Sequence, residues 1–280
     1  MRPPHLVALL ALVLTLTWAP AVAASGLEEL CRPGEPCRDY DALARLVDAE
    51  ILPLPDGQPG PLVMPPGGWS QWGRAQPPTP VWNPPGTKRI GLQAGHFEYF
   101  DAPGELLSLR RNPGAPGGGR IEWEVTIELA RQAADMLRGL GYEVDVLPVT
   151  VPVRYRAHAF VAIHVDGSEN AALRGYKLAR PNFSSIPAVD DRFLEIAHDA
   201  YGQVTGLPDN SEYVTGRMRN YYAFNARRYQ HAVAPGVPQL IYETGFMSNR
   251  ADREFLFEQP EVAAGAIAEG IVRFLELDLH

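Results

Sequence analysis

Three polar residues stand just past, or at the end of, short apolar runs: His96 after Ile90-Gly91-Leu92, His164 after Phe160-Val161-Ala162-Ile163, and Glu243 after Leu240-Ile241-Tyr242. A fourth, Glu122, opens a long amphipathic stretch. Two imidazoles and one carboxylate are a common zinc set in hydrolases, because three protein donors leave the fourth tetrahedral position to water. On that reading His96, Glu122 and His164 hold one Zn2+ per chain, while Glu243 takes a proton from the water and returns it to the leaving group. Residue types and spacing leave a second reading open, in which ordinary hydrogen bonds satisfy the histidines and Glu122 is a buried ion-pair partner.

The elements that must position these residues begin near Lys88, where strand and helix patterns start to alternate. The alternation predicts an α/β fold: a mostly parallel central sheet flanked by helices on both faces, forming a single catalytic domain over residues 88–280. Strands are expected at 89–93, 142–147, 159–163 and 239–242, and helices at 121–140, 189–204 and 261–277. In open α/β sheets, ligands gather beyond the carboxyl ends of the strands, and a helix that follows a strand starts at that same edge. All four residues are therefore expected to converge there. At about 100° per residue, Glu122 shares a stripe with Val125, Leu129, Ala133, Met136 and Leu140 and faces the protein. Glu124 belongs with Glu128, Arg131, Asp135 and Arg138 on a charged face turned to water.

Upstream of the domain the texture differs. Arg2, the apolar run from Leu6 to Trp18 and Ala21-Val22-Ala23 read as an export signal over residues 1–24, so the product is expected in the periplasm, cell envelope or extracellular space. The run is shorter than the roughly 20 residues of a membrane span, and no stable span is expected after cleavage. Residues 25–52 form a small element with a Cys31–Cys37 disulfide across a turn-rich loop, as an oxidising compartment permits. Residues 53–87 are a Pro/Gly-rich linker or arm, in which Trp69, Trp72 and Trp82 are read as packing anchors rather than sugar platforms. A formal charge of -8, with no Lys/Arg stripe, excludes nucleic acid as a partner.

From about Lys88 to the C-terminus, the sequence resembles the zinc-dependent N-acetylmuramoyl-L-alanine amidases of the cell-wall amidase type 3 family. The family's Gly-His after the first strand is matched by Gly95-His96, and its helix-opening glutamate, counted back from Gly141-Tyr142-Glu143-Val144, by Glu122. Its third ligand motif is matched by Ala162-Ile163-His164-Val165-Asp166. The most specific match is Tyr242-Glu243-Thr244-Gly245-Phe246-Met247-Ser248-Asn249, around the catalytic glutamate. The first motif departs from the family pattern, since Gln93-Ala94-Gly95-His96-Phe97-Glu98 stands where Asp-x-Gly-His-Gly-Gly is usual. The segment 148–156 is also shortened.

The resemblance implies hydrolysis of the amide between the lactyl group of N-acetylmuramic acid and L-alanine in peptidoglycan, by a monomer, in wall remodelling or lysis. A zinc peptidase acting on the wall's stem peptides and a non-catalytic wall-binding relative are the alternatives. The brief stretch from Asp166 to Ala188 leaves little room for an occluding helix, so activity without an activator protein is expected. His158, His198 and His231 are assigned surface or structural roles, and Asp166 is a candidate to orient His164. The cluster of Arg217, Arg219, Tyr221 and Tyr222 either grips substrate or packs.

Overall fold

A computed structural model describes residues 76–277. The expected signal segment, the Cys31–Cys37 pair, Trp69 and Trp72 lie outside the described residues. The sheet has five strands in the order β4-β1-β5-β7-β6: β1 Arg89–Ala94, β4 Glu143–Leu147, β5 Ala159–Asp166, β6 Lys177–Ala179 and β7 Gln239–Phe246. All neighbours pair in parallel except β6, which runs antiparallel along β7. A two-stranded ribbon, β2 Pro116–Gly117 with β3 Arg120–Ile121, precedes helix α1, Glu122–Gly139. Helix α2 spans Pro187–Thr205, the short α3 Gly216–Arg219, α4 Arg250–Glu258 and α5 Pro260–Leu275.

Parallel strands covered on both faces must be apolar on both faces, and β5 is buried along its first seven residues. One face, carrying Leu92, Val161, Ile163, Leu240 and Tyr242, packs against α1, α2 and α5. The other face, with Phe160, Ala162 and Ile241, is covered by Phe183, Met218, Tyr222, Phe224 and Val233 from 3-10 turns, loops and the one-turn α3. The long helices thus sit on one face, and short helical pieces cover the other.

Three details differ from the sequence expectation. The expected closing helix at 261–277 is α5, which Pro260 opens with a ring that needs no N–H partner, and a separate helix not anticipated from the sequence, α4, precedes it and ends before Gln259. On α1 the buried positions are Glu122, Val125, Thr126, Ile127, Leu129, Ala130, Ala133, Ala134 and Leu137, whereas Met136 is 38% exposed and Leu140 65%. The buried positions centre on Thr126, Ala133 and Leu137, so the core stripe is rotated toward Leu137 and leaves Met136 at its edge, while Leu140 lies past the last helical residue. Glu124 does not face open water: it is half-buried, and its carboxylate accepts the Ile121 N–H at 2.8 Å, capping the helix.

Residues 76–87 run across the domain. Gln76 N–H donates to Phe183 O at 3.1 Å and Trp82 N–H to Gly236 O at 2.8 Å. The Trp82 ring meets His158 edge-on at 5.0 Å.

The offset of the α1 stripe is measurable. Leu129→Ala should destabilise the domain by about 2–5 kcal/mol, whereas Met136→Ala should cost less than about 1 kcal/mol, as read from urea unfolding.

Candidate metal centre

The carboxyl edge of the sheet gathers His96, Glu122 and His164, each able to offer one ligand atom within 4.8 Å of the others. His96 Nε2 lies 3.4 Å and His164 Nδ1 2.9 Å from the same oxygen, Glu122 Oε1. Donors about 2 Å from a tetrahedral ion stand roughly 3.3 Å apart, so these spacings fit a shared ion with little movement. The two imidazole rings are edge-to-face, with centroids 5.0 Å apart.

Each donor is held by backbone. His96 follows β1 in the left-handed region, φ 61°, a conformation uncommon for any residue with a side chain. Its Nδ1–H donates to Asn112 O at 2.8 Å, which leaves the Nε2 lone pair aimed at the shared point. Glu122 occupies the first turn of α1, where a helix favours negative charge. Its Oε2 accepts Ala115 N–H at 2.9 Å and its Oε1 accepts Val165 N–H at 3.1 Å. Thr126, one turn along the same helix, donates to Gly95 O at 2.6 Å and ties α1 to the end of β1.

Two glycines make room for this. A Cβ at Gly95 would lie 2.5 Å from His164 Cε1, and one at Gly114 2.5 Å from the Glu122 carboxylate. Gly114 also has φ 89°, which a side chain rarely adopts.

Burial alone would raise the Glu122 carboxyl, but His96, His164 and the Ala115 N–H outweigh it and hold its pKa to about 2. Burial lowers that of His96, with His164 adding to the effect, so this imidazole favours the neutral, ligating form. An inward carboxylate that stays ionised between two imidazoles is a donor set matched to a divalent cation.

Glu243 is the direct register partner of His164 on the neighbouring strand. Its Oε2 is buried without a hydrogen-bond partner. Burial raises its pKa well above the usual carboxylate range, Asp166 and Glu122 push the same way, and Lys177 opposes them. Lys177 was not foreseen. It lies opposite Glu243 on β6, is 3% exposed, and its Nζ is 2.6 Å from Asp166 Oδ2. Asp166 therefore pairs with Lys177 and does not orient His164. No sequence signal marked Lys177, a lone cation in a three-residue strand.

The residues after Glu243 clamp it in place. Thr244 Oγ1 donates to His164 O at 2.9 Å and Met247 N–H to Asp166 O at 2.7 Å, joining β7 to β5 beyond the last regular pair. Asn249 then caps α4 through Ala251 and Asp252 N–H. The other histidines among the described residues are held elsewhere: His158 by Arg89 N–H, His198 by Asp209 and Ser211, His231 by Glu105. Tyr221 meets His164 edge-on at 5.3 Å, while Arg217 and Arg219 are exposed on α3.

Fold and site together define an α/β protein with a two-histidine, one-glutamate metal-type centre at the carboxyl edge of its sheet. A family model described as N-acetylmuramoyl-L-alanine amidase matches residues 90–273, and the chain belongs to that family. It is 28% identical over 207 residues to the N-acetylmuramoyl-L-alanine amidase AmiC of Neisseria meningitidis serogroup B (strain ATCC BAA-335 / MC58), covering 59% of this chain and 50% of that one. The chain thus spans about half the length of that curated relative. Among solved structures, the N-acetylmuramoyl-L-alanine amidase AmiC2 of Nostoc punctiforme and the catalytic domain of CwlV from Bacillus (Paenibacillus) polymyxa var. colistinus each align with a TM-score of 0.50 and 19% identity. Each alignment covers 69% of this chain and all of the other. At that identity the likeness is one of fold.

Two outcomes are expected. Gly95→Ala should force the His164 ring aside and weaken divalent-ion binding by about ten- to a hundredfold, measured by chelator competition, with circular dichroism unchanged. A carboxyl whose pKa is depressed from 4.5 to about 2 contributes stability above the unfolded value that is lost as pH falls toward the folded one. The metal-free wild type should therefore exceed Glu122→Gln in unfolding free energy at pH 6, and the gap should close between pH 4.5 and 2.

Proposed function

We propose that this chain is a zinc-dependent N-acetylmuramoyl-L-alanine amidase that hydrolyses the amide between the lactyl group of N-acetylmuramic acid and L-alanine in peptidoglycan. The observation that carries this reading is the convergence of His96, Glu122 and His164 with Glu243 alongside, in a chain of the amidase family. His96, Glu122 and His164 hold one zinc ion, which when bound polarises the scissile carbonyl and acidifies water. Glu243 takes the proton of the attacking water and delivers it to the departing L-alanine amine, so the C–N bond breaks with no net proton change. A carboxyl whose proton affinity is lifted by burial suits that exchange near neutral pH. Lys177, opposite Glu243, offsets the negative charge that Glu243, Asp166 and Glu122 place in one small volume.

Residues 1–24 direct export to the periplasm, cell envelope or medium, and the enzyme works there as a monomer on peptidoglycan. No helix of the described residues is long and apolar enough to cross a membrane. Activity without an activator is supported by the short connection from β5 to α2, which holds only β6 and turns.

Mass spectrometry of purified sacculi after digestion tests the reading. The expected result is a new free L-alanine amine with an intact glycan strand, formed without added partner and lost on chelation. Glu243→Ala should lower kcat by on the order of 10²–10⁴ while zinc stays bound. Cleavage within the stem peptide instead, or full activity of Glu243→Ala, would sink the assignment.

A further inference from the structure

The imidazole of His164 has a second side. While Nδ1 faces Glu122 Oε1 at 2.9 Å, Nε2 lies 3.3 Å from the Tyr221 hydroxyl. That hydroxyl donates to Gln93 Oε1 at 3.0 Å. Gln93 Nε2 in turn donates to Val149 O at 2.5 Å and to the Tyr222 hydroxyl at 2.8 Å, and Tyr222 donates to Val149 O. Gln93 is fully buried and Tyr222 is 8% exposed, so water offers these groups no ready substitute.

The proton directions in this chain are not free. Val149 O accepts only, which turns the Gln93 amide so that its NH2 faces Val149 and its Oε1 faces Tyr221. The single Tyr221 proton then goes to Gln93, leaving the Tyr221 oxygen as an acceptor toward His164. A ring nitrogen facing that oxygen must carry hydrogen, and a neutral imidazole carrying hydrogen on Nε2 has its lone pair on Nδ1. Turning the Tyr221 proton back to His164 would strand the buried Gln93 Oε1 without a donor.

We propose that Tyr221, oriented by Gln93 and Tyr222, is a positioning residue that holds His164 as the Nε2–H tautomer and so presents its Nδ1 lone pair to the metal. The proposal rests on the zinc reading above and adds a hydrogen-bond relay that reaches the ion only through His164. It also gives a reason for glutamine at position 93: a carboxylate there would set an acceptor against Val149 O at 2.5 Å.

The test uses the full chain as wild type, Tyr221→Phe and Gln93→Glu. Zinc affinity is measured by competition with a chromophoric chelator, and the His164 tautomer by long-range nitrogen–proton NMR of the ring, assigned by loss of its signals in His164→Ala. Tyr221→Phe keeps the ring and should fold, with zinc affinity reduced about ten- to a hundredfold and loss of the single Nε2–H pattern. Gln93→Glu should move both readouts in the same direction. Wild-type affinity and an unchanged tautomer in Tyr221→Phe would overturn the proposal alone. Failure of the wild type to bind zinc through His96, Glu122 and His164 would overturn the amidase reading, and this inference with it.

Discussion

Everything at the carboxyl edge of this sheet answers to one buried carboxylate. Glu122 is 4% exposed, and an ion so placed is tolerated only when its lone pairs are taken up. Two backbone N–H groups do this, Ala115 N–H from the loop before α1 and Val165 N–H from β5. The same bonds fix the carboxylate where the His96 and His164 rings meet it, 3.4 and 2.9 Å from Oε1. A shared cation completes what the two N–H groups leave open, and the spacing needs little rearrangement to accept one.

Steric room is the second constraint. His164 presses on Gly95 and Glu122 on Gly114, so two donors lie against bare backbone rather than against side chains that could adjust. Thr126 fastens α1 to the end of β1, and Thr244 with Met247 fastens β7 to β5. Packed backbone moves less than packed side chains, and the site inherits its precision from strands and a helix.

Much of this was legible in the sequence, and the reason is geometric. Polar residues at strand ends and at the inward face of a helix start can be placed without knowing any long-range contact, and His96, Glu122, His164 and Glu243 are all of that kind. The position of Met136 was misjudged because the buried arc of α1 is centred toward Thr126 and Leu137, a rotation set by tertiary packing that residue spacing alone does not fix. Lys177 and the Tyr221–Gln93 contact were illegible for a different reason. Tyr221 and Gln93 are 128 positions apart, and no local pattern announces a partner at that distance. The short helix α4 was missed because its nine residues offer little periodicity, although Asn249 marks its start.

Residues 76–87 lie ahead of the family-matched segment but are built into the domain. They cover a patch where Gly236 O and His158 Nε2 receive partners from Trp82 and Pro84, and Gly236 itself lies against Pro80 O. A shortened protein begun at the first strand would open those polar groups to solvent and uncover the Trp82 contact with His158, whose Nδ1 accepts the Arg89 N–H at the head of β1. The folded domain therefore takes in residues 76–87, upstream of the boundary at residue 90 that homology alone would draw.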